Sequence, residues 1–174
     1  SLRIARVLVR HPSKDSTRFM SNRFKPNATV AVIIEHEDKF LMVEELNEDQ
    51  DNKPVFGMPA GHIEAKESII EAASREAFEE CGCEVELTAL VGIYDYVKND
   101  ETIERFCFAA KIKEIPSHLE AQDPDHEIMN VRWYSQQEIY EKRNSWRTRL
   151  VGLCMDDYLA GKRYPLDLIK VVLP

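Results

Sequence analysis

With 174 residues, ordinary apolar content, few glycines and no low-complexity tract, the chain can bury one sizeable core but is short for two domains, so one globular domain is expected. Its formal charge of −8 speaks against a nucleic-acid polymer as the main ligand, since phosphate-backbone binders need a basic surface; a small phosphorylated ligand carried with a metal ion remains compatible. The four cysteines (Cys81, Cys83, Cys107 and Cys154) form no C-x-x-C pair, no charged and apolar leader opens the chain, and runs such as ATVAVII at 28–34 are far too short to span a bilayer, which together point to a reduced, cytoplasmic protein with no membrane role.

In chain order, residues 1–24 read as an N-terminal arm of two characters: LRIARVLVR alternates like a strand and HPSKDSTRFMSNR reads as linker. From residue 25 to 174 the pattern is that of a single domain. NATVAVIIE (27–35) and KFLMVEE (39–45) are strands joined through His36-Glu37-Asp38-Lys39 as a hairpin, and the polar run NEDQDNKP (47–54) reads as a loop. Ser68 and Glu71 have capping-box spacing, so a helix starts there, runs through alanine-rich sequence and stops at Gly82. ELTALVGIYDYV (86–97) and IERFCFAAKI (103–112) flank a turn at Lys98-Asn99-Asp100, and IMNVRWY (128–134) is a further strand. Ser135 with Glu138 repeats the capping box, and TRLVGLCMDDYLAG (148–161) has apolar residues at helical intervals before a glycine. Strands around a central helix followed by C-terminal helices predict an α/β fold with a mixed sheet covered by helices. Nothing in the sequence specifies an oligomeric state.

The central helix carries its acids at the wrong end. A helix C-terminus favours cations, yet Glu76, Glu79 and Glu80 lie in the last turns before Gly82. At 100° per residue they share one arc, beside an apolar stripe of Ile70, Ala73, Ala77 and Cys81 that can dock on a sheet. Carboxylates so placed repel by about 2–4 kcal/mol per pair at an effective dielectric near 20 and separations of about 4–8 Å, so a proton or a cation must intervene. An all-oxygen cluster suits Mg²⁺, with Mn²⁺ as the alternative, rather than Zn²⁺. A solvated acidic face is the commoner fate of an E-x-x-E-E cluster, and composition alone does not exclude it.

The spacing around the cluster does. Gly61, five residues, Glu67, seven residues, Arg75-Glu76, an apolar residue, any residue, Glu79-Glu80, any residue, Gly82 and an apolar residue resemble the Nudix box at every fixed position, with Ala77 and Cys83 as small apolar choices. The likeness continues through FKPNATVAVIIEHEDKFLMVEE, MPAGHIEAKES, the RF-x-F strand, DPDHEIMNVRW and GKRYPLDLI, over roughly residues 24–169, and there it looks like the phosphatase NudJ branch of the family. The resemblance implies a Nudix-type α/β/α sandwich with a mixed β-sheet that hydrolyses phosphoanhydride bonds in small pyrophosphorylated metabolites, such as nucleoside tri- and diphosphates and thiamine-type pyrophosphates. It implies Glu79 and Glu80 as metal ligands, Glu76 as a further ligand or the general base, and the Gly61 carbonyl as another oxygen donor. Arg75, about 100° round the helix from Glu76, is placed to hold Glu67 in a forked ion pair as structural support. The alternative is a non-catalytic Nudix ligand-sensing or interaction module, which usually has damaged acids in the box; here all are intact.

Beyond the box, Phe56-Gly57-Met58, before Pro59-Ala60-Gly61, departs from the branch at a place that can border the substrate pocket, with Phe56 an aromatic that stacks on a heterocycle or fills the core; Arg105 on a strand is a phosphate contact or pairs with Glu104 or a neighbouring strand, and Glu127 is an extra loop carboxylate or a solvated one. Tyr94, Tyr96 and Trp133 are aromatic strand residues that stack on a heterocycle or fill the core, Glu44-Glu45 reads as edge charge, and His62 as a spectator.

Overall fold

The computed structural model describes residues 23–47 and 53–174; residues 1–22 of the expected arm lie outside them. The hairpin forms as expected: β1 (Asn27–His36) and β2 (Lys39–Asn47) meet at His36 and Lys39. Glu37 and Asp38 between them have φ of 49° and 59°, the left-handed pair that a two-residue type I′ turn requires. The loop expected over 47–54 needs correction: residues 48–52 are outside the described set, but Lys53 and Pro54 already belong to β3 (Lys53–Gly57), antiparallel to β2. A short β4 (Ala60–His62) then pairs with the start of β1, so Gly61 lies on a strand rather than in a loop.

The capped helix is α1 (Ile69–Cys81), with the reciprocal Ser68–Glu71 box present and Gly82 left-handed at φ 68°. A side chain at Gly82 would meet the carbonyl oxygen of Glu120 at 2.2 Å, because the segment after β6 folds over the helix end, where the Gln122 N–H donates to the Glu79 carbonyl at 2.6 Å. The long strands β5 (Val85–Val97) and β6 (Thr102–Ile112) form an antiparallel pair, and β6 runs parallel to β1 along eight residue pairs from Asn27–Ile103 to Ile34–Ala110. β7 (Ile128–Ser135) returns to the far side of β2, followed by α2 (Gln136–Glu141), capped by Ser135, and α3 (Leu150–Leu159). Among the described residues this is one mixed sheet, β3-β2-β1-β6-β5, with β4 on β1 and β7 on β2.

Both faces of β1 are covered, which is why it reads as a continuous apolar run. Val30, Val32 and Ile34 pack with Ala72, Ala73, Ala77 and Cys81 of α1, whereas Ala31 and Ile33 pack with Val151, Cys154 and Met155 of α3. The result is the α/β/α sandwich expected, with a mixed sheet between helices. No helix among the described residues is long and apolar enough to cross a membrane.

Candidate active site

Alternation along the strands builds the site. In register, His62 of β4, Thr29 of β1, Arg105 of β6 and Tyr94 of β5 form one cross-strand row, just beyond the apolar row that α3 covers. Three of these, His62, Thr29 and Arg105, line a cleft of about 570 Å³ whose other walls include Gly61, Glu127 and Arg147. α1 lies on the opposite face, and the charges of its Glu76 and Glu80 interact across β4 with that of Arg147 on the cleft wall.

Glu80 is the deepest of them. Its Oε2 accepts the Ala60 N–H at 3.0 Å, and burial drives its carboxyl well above the ordinary range. Glu76 is also buried, and burial raises it even though Arg75 Nη1 donates to its Oε1 at 2.8 Å. The Glu76 carboxylate lies directly on Gly61. Arg75 answers the sequence's question about compensation: Nε and Nη2 form a two-pronged pair with Glu67 at 3.0 and 2.7 Å, Nη1 also reaches Glu79 at 2.9 Å, and Nη2 donates to the His62 carbonyl at 2.9 Å. One guanidinium thus ties three glutamates of the motif to β4. The fork holds the Glu67 carboxyl below its ordinary range.

The donor set facing Gly61 is all oxygen, which fits a hard divalent ion, and its two buried carboxylates lack full compensation. Among the described residues, however, no three His, Cys, Asp or Glu side chains stand together as a ready metal-holding group. One Arg75 Nη1 engages an oxygen of both Glu76 and Glu79. The other oxygen of each, Oε2 of Glu76 and Oε1 of Glu79, is not taken by Arg75.

Two residues that sequence reading passed over belong to this site. Glu45, read as edge charge, is buried, and its carboxyl is raised by burial despite the Arg147 Nε at 2.5 Å. Arg147 also donates from Nη1 to the Ala60 carbonyl at 3.1 Å, so it bridges β2 and β4 from the turn before α3. Glu44, the other half of that pair, turns away to Lys142 at 2.7 Å.

Arg105 and Glu127 both border the cleft. Glu127 is fixed by its backbone, whose N–H donates to Asp123 Oδ2 at 2.5 Å and whose carbonyl accepts from Leu46 at 3.2 Å. Phe56 does not: its ring is buried edge-on against Tyr134, with centroids 4.9 Å apart, so it fills the core and cannot stack on a ligand. Of the other aromatics, Tyr94 donates to Asp157 at 2.9 Å and packs on the core, and Trp133 lies against His36; neither lines the cleft. His62, read as a spectator, does line it.

Comparison with known proteins agrees with this geometry. The NUDIX domain family matches residues 25–152. The chain is 37% identical over 147 residues to the phosphatase NudJ of Escherichia coli (strain K12), across 84% of this chain and 92% of that protein. A solved NUDIX hydrolase from Nitrosomonas europaea is similar at TM-score 0.77 and 41% identity, covering 85% of this chain and 98% of that one. An ADP-ribose pyrophosphatase from Streptococcus suis shares the fold at TM-score 0.57 and 23% identity, over 77% of this chain and 92% of that one. This chain therefore belongs to the NUDIX family, as a hydrolase of pyrophosphate bonds.

Proposed function

We propose that the protein hydrolyses phosphoanhydride bonds in small pyrophosphorylated metabolites, including nucleoside tri- and diphosphates and thiamine-type pyrophosphates, in a reaction dependent on Mg²⁺ or Mn²⁺. The observation that carries this reading is the pair of buried, incompletely compensated carboxylates on β4, Glu76 against Gly61 and Glu80 on the Ala60 N–H, beside a cleft that Gly61 and several cationic side chains line. Buried carboxylates whose charge is not neutralised by a partner are costly, and a divalent ion offsets that cost.

In this reading Glu76, Glu79, Glu80 and the Gly61 carbonyl hold the ion, which when bound neutralises the anhydride and the charge of the transition state. Glu76 is either one of those ligands or the base that takes the proton of the attacking water. Water adds to phosphorus, the bridging P–O bond breaks, and two phosphate products leave. Arg75 and Glu67 orient the acids rather than touch substrate, Glu127 contacts the substrate, and Arg105 contacts it only where it carries a further anionic group. The absence of a stacking face at Phe56 supports broad turnover, because little in the cleft is built to read one heterocycle. We expect kcat/KM to differ by about 10–100-fold across anhydride substrates, that is about 1.4–2.7 kcal/mol of discrimination. Phosphate release from a panel of nucleotides and pyrophosphates at saturating Mg²⁺ tests this. A monophosphate as best substrate contradicts the reaction class, and one compound favoured by thousands contradicts the breadth.

A further inference from the structure

Among the cations on the cleft wall, Arg105 differs from its neighbours in having no acidic ion-pair partner among the described residues. Lys98 is paired with Glu101 at 2.8 Å, and Arg147 with Glu45. Arg105 is only 7% exposed, and its one hydrogen bond among the described residues runs from Nε to Thr29 Oγ1 at 2.8 Å. The Thr29 hydroxyl is itself directed, donating to the Glu104 carbonyl at 3.3 Å, so it offers its lone pair to Nε and fixes the guanidinium over β1. No hydrogen bond from either terminal nitrogen is made to the described residues, and the side chain borders the cleft.

A guanidinium nine-tenths buried without an ion-pair partner among the described residues is costly: burial depresses its basicity, the nearby Arg147 charge adds to this, and the Glu80 charge offsets only part of it. A planar fork held in that state is built to receive a bidentate anion. Its position says which one. Arg105 stands on β6, but the bond to Thr29 brings its head over β1, one strand spacing (about 4.8 Å) from the row of Gly61 and His62 on β4. That is within reach of a phosphate next along the chain from one held at the Gly61 end.

We propose that Arg105, propped by Thr29, is the receptor for a further anionic group of the substrate, beyond the anhydride that is cut, so that a third phosphate selects triphosphates over diphosphates carrying an uncharged second substituent. This rests on the proposed hydrolase reading and deepens it. Selectivity in this cleft then comes from charge at the β6 side and not from a base-stacking surface.

The test compares wild type with Arg105→Gln on a nucleoside triphosphate and on a sugar-linked nucleoside diphosphate. Losing two charge-assisted hydrogen bonds should raise KM for the triphosphate by about 10–100-fold, with kcat within about 3-fold and the sugar-linked substrate little changed. Equal losses on both substrates, or none on either, overturn the proposal. A second arm needs no turnover: inorganic tripolyphosphate should raise the melting temperature of the chelator-treated wild type and not that of Arg105→Gln. An equal rise in both overturns the inference. Should wild type cleave no anhydride, the hydrolase reading fails while this arm still decides the anion site. If Arg105→Gln does not fold, Arg105→Met, which fills the same buried path without charge, carries both comparisons.

Discussion

The carboxylate of Glu76 rests against the Cα of Gly61, so closely that a Cβ built there would lie 2.1 Å from Oε1 and 2.3 Å from Cδ. The helix acid and the strand glycine therefore define each other's position. Because Arg75 also grips Glu76, that side chain has little freedom to retreat. Gly61→Ala should push Glu76 off the strand, cutting kcat/KM by about 100-fold while costing only about 1–3 kcal/mol of stability, the usual range for overpacking. Steady-state kinetics beside urea unfolding separates the two effects; unchanged kinetics would mean that Glu76 is free to sit elsewhere.

Arg75 is engaged by three glutamates and a carbonyl, through a planar fork that an ammonium lacks. Arg75→Lys keeps the charge but loses the two-pronged hold on Glu67. A fall in kcat/KM of about 10-fold or more with KM little altered is expected, since Arg75 positions the acids without touching substrate. A large rise in KM alone would instead make it a substrate contact.

The buried acids set the pH response of the metal-free protein. Glu45, Glu76 and Glu80 have folded values above the ordinary carboxylate 4.5, so between that value and their folded values the native state keeps protons that the unfolded state has released. Stability then falls as pH rises through this window. Glu67 and Glu44 act in the opposite sense: their lowered values contribute stability that is present above about pH 4.5 and lost as pH falls through the folded value. With chelator present, the melting temperature should therefore climb as pH is lowered through the raised values of the buried acids toward the ordinary carboxylate value, and drop as pH falls on through the lowered values of Glu67 and Glu44. Saturating Mg²⁺ should flatten the upper limb. A melting temperature that rises steadily from pH 5 to 8 without metal would show that these acids carry no burial cost.

Much of this was readable beforehand where chemistry is local. The Ser68–Glu71 box and the left-handed Gly82 bound α1, and the motif spacing named Glu67, just before the cap, as the partner of Arg75. What escaped reading depends on distant partners. β3 hid in a polar run because Lys53 and Pro54 draw their strand character from β2. Glu45 looked like its neighbour Glu44, but the pairing with β7 skips Met129 between Asn130 and Ile128 at this point. Its burial also depends on Arg147, which lies in a turn about a hundred residues later and offers no periodic signal. Phe56 failed as a ligand surface for the same reason: Tyr134, its partner, arrives only when β7 docks.

Removing charge from the crowded face should separate function from folding. Glu80→Gln keeps the shape of a side chain that accepts the Ala60 N–H, yet it abolishes the buried charge. We expect activity to fall by about three orders of magnitude or more and the metal-free variant to melt at or above wild type, because a buried like charge is gone. Glu79→Gln should lose comparable activity. Wild-type rates in both variants would show that these acids take no part in the reaction.

The most direct test of the central claim is the initial rate of phosphate release from a nucleoside triphosphate as Mg²⁺ is titrated into chelator-treated protein. A rate indistinguishable from background without the ion, rising to saturation and restored in full on adding the ion back, is the predicted result. Full turnover in metal-free buffer would contradict it.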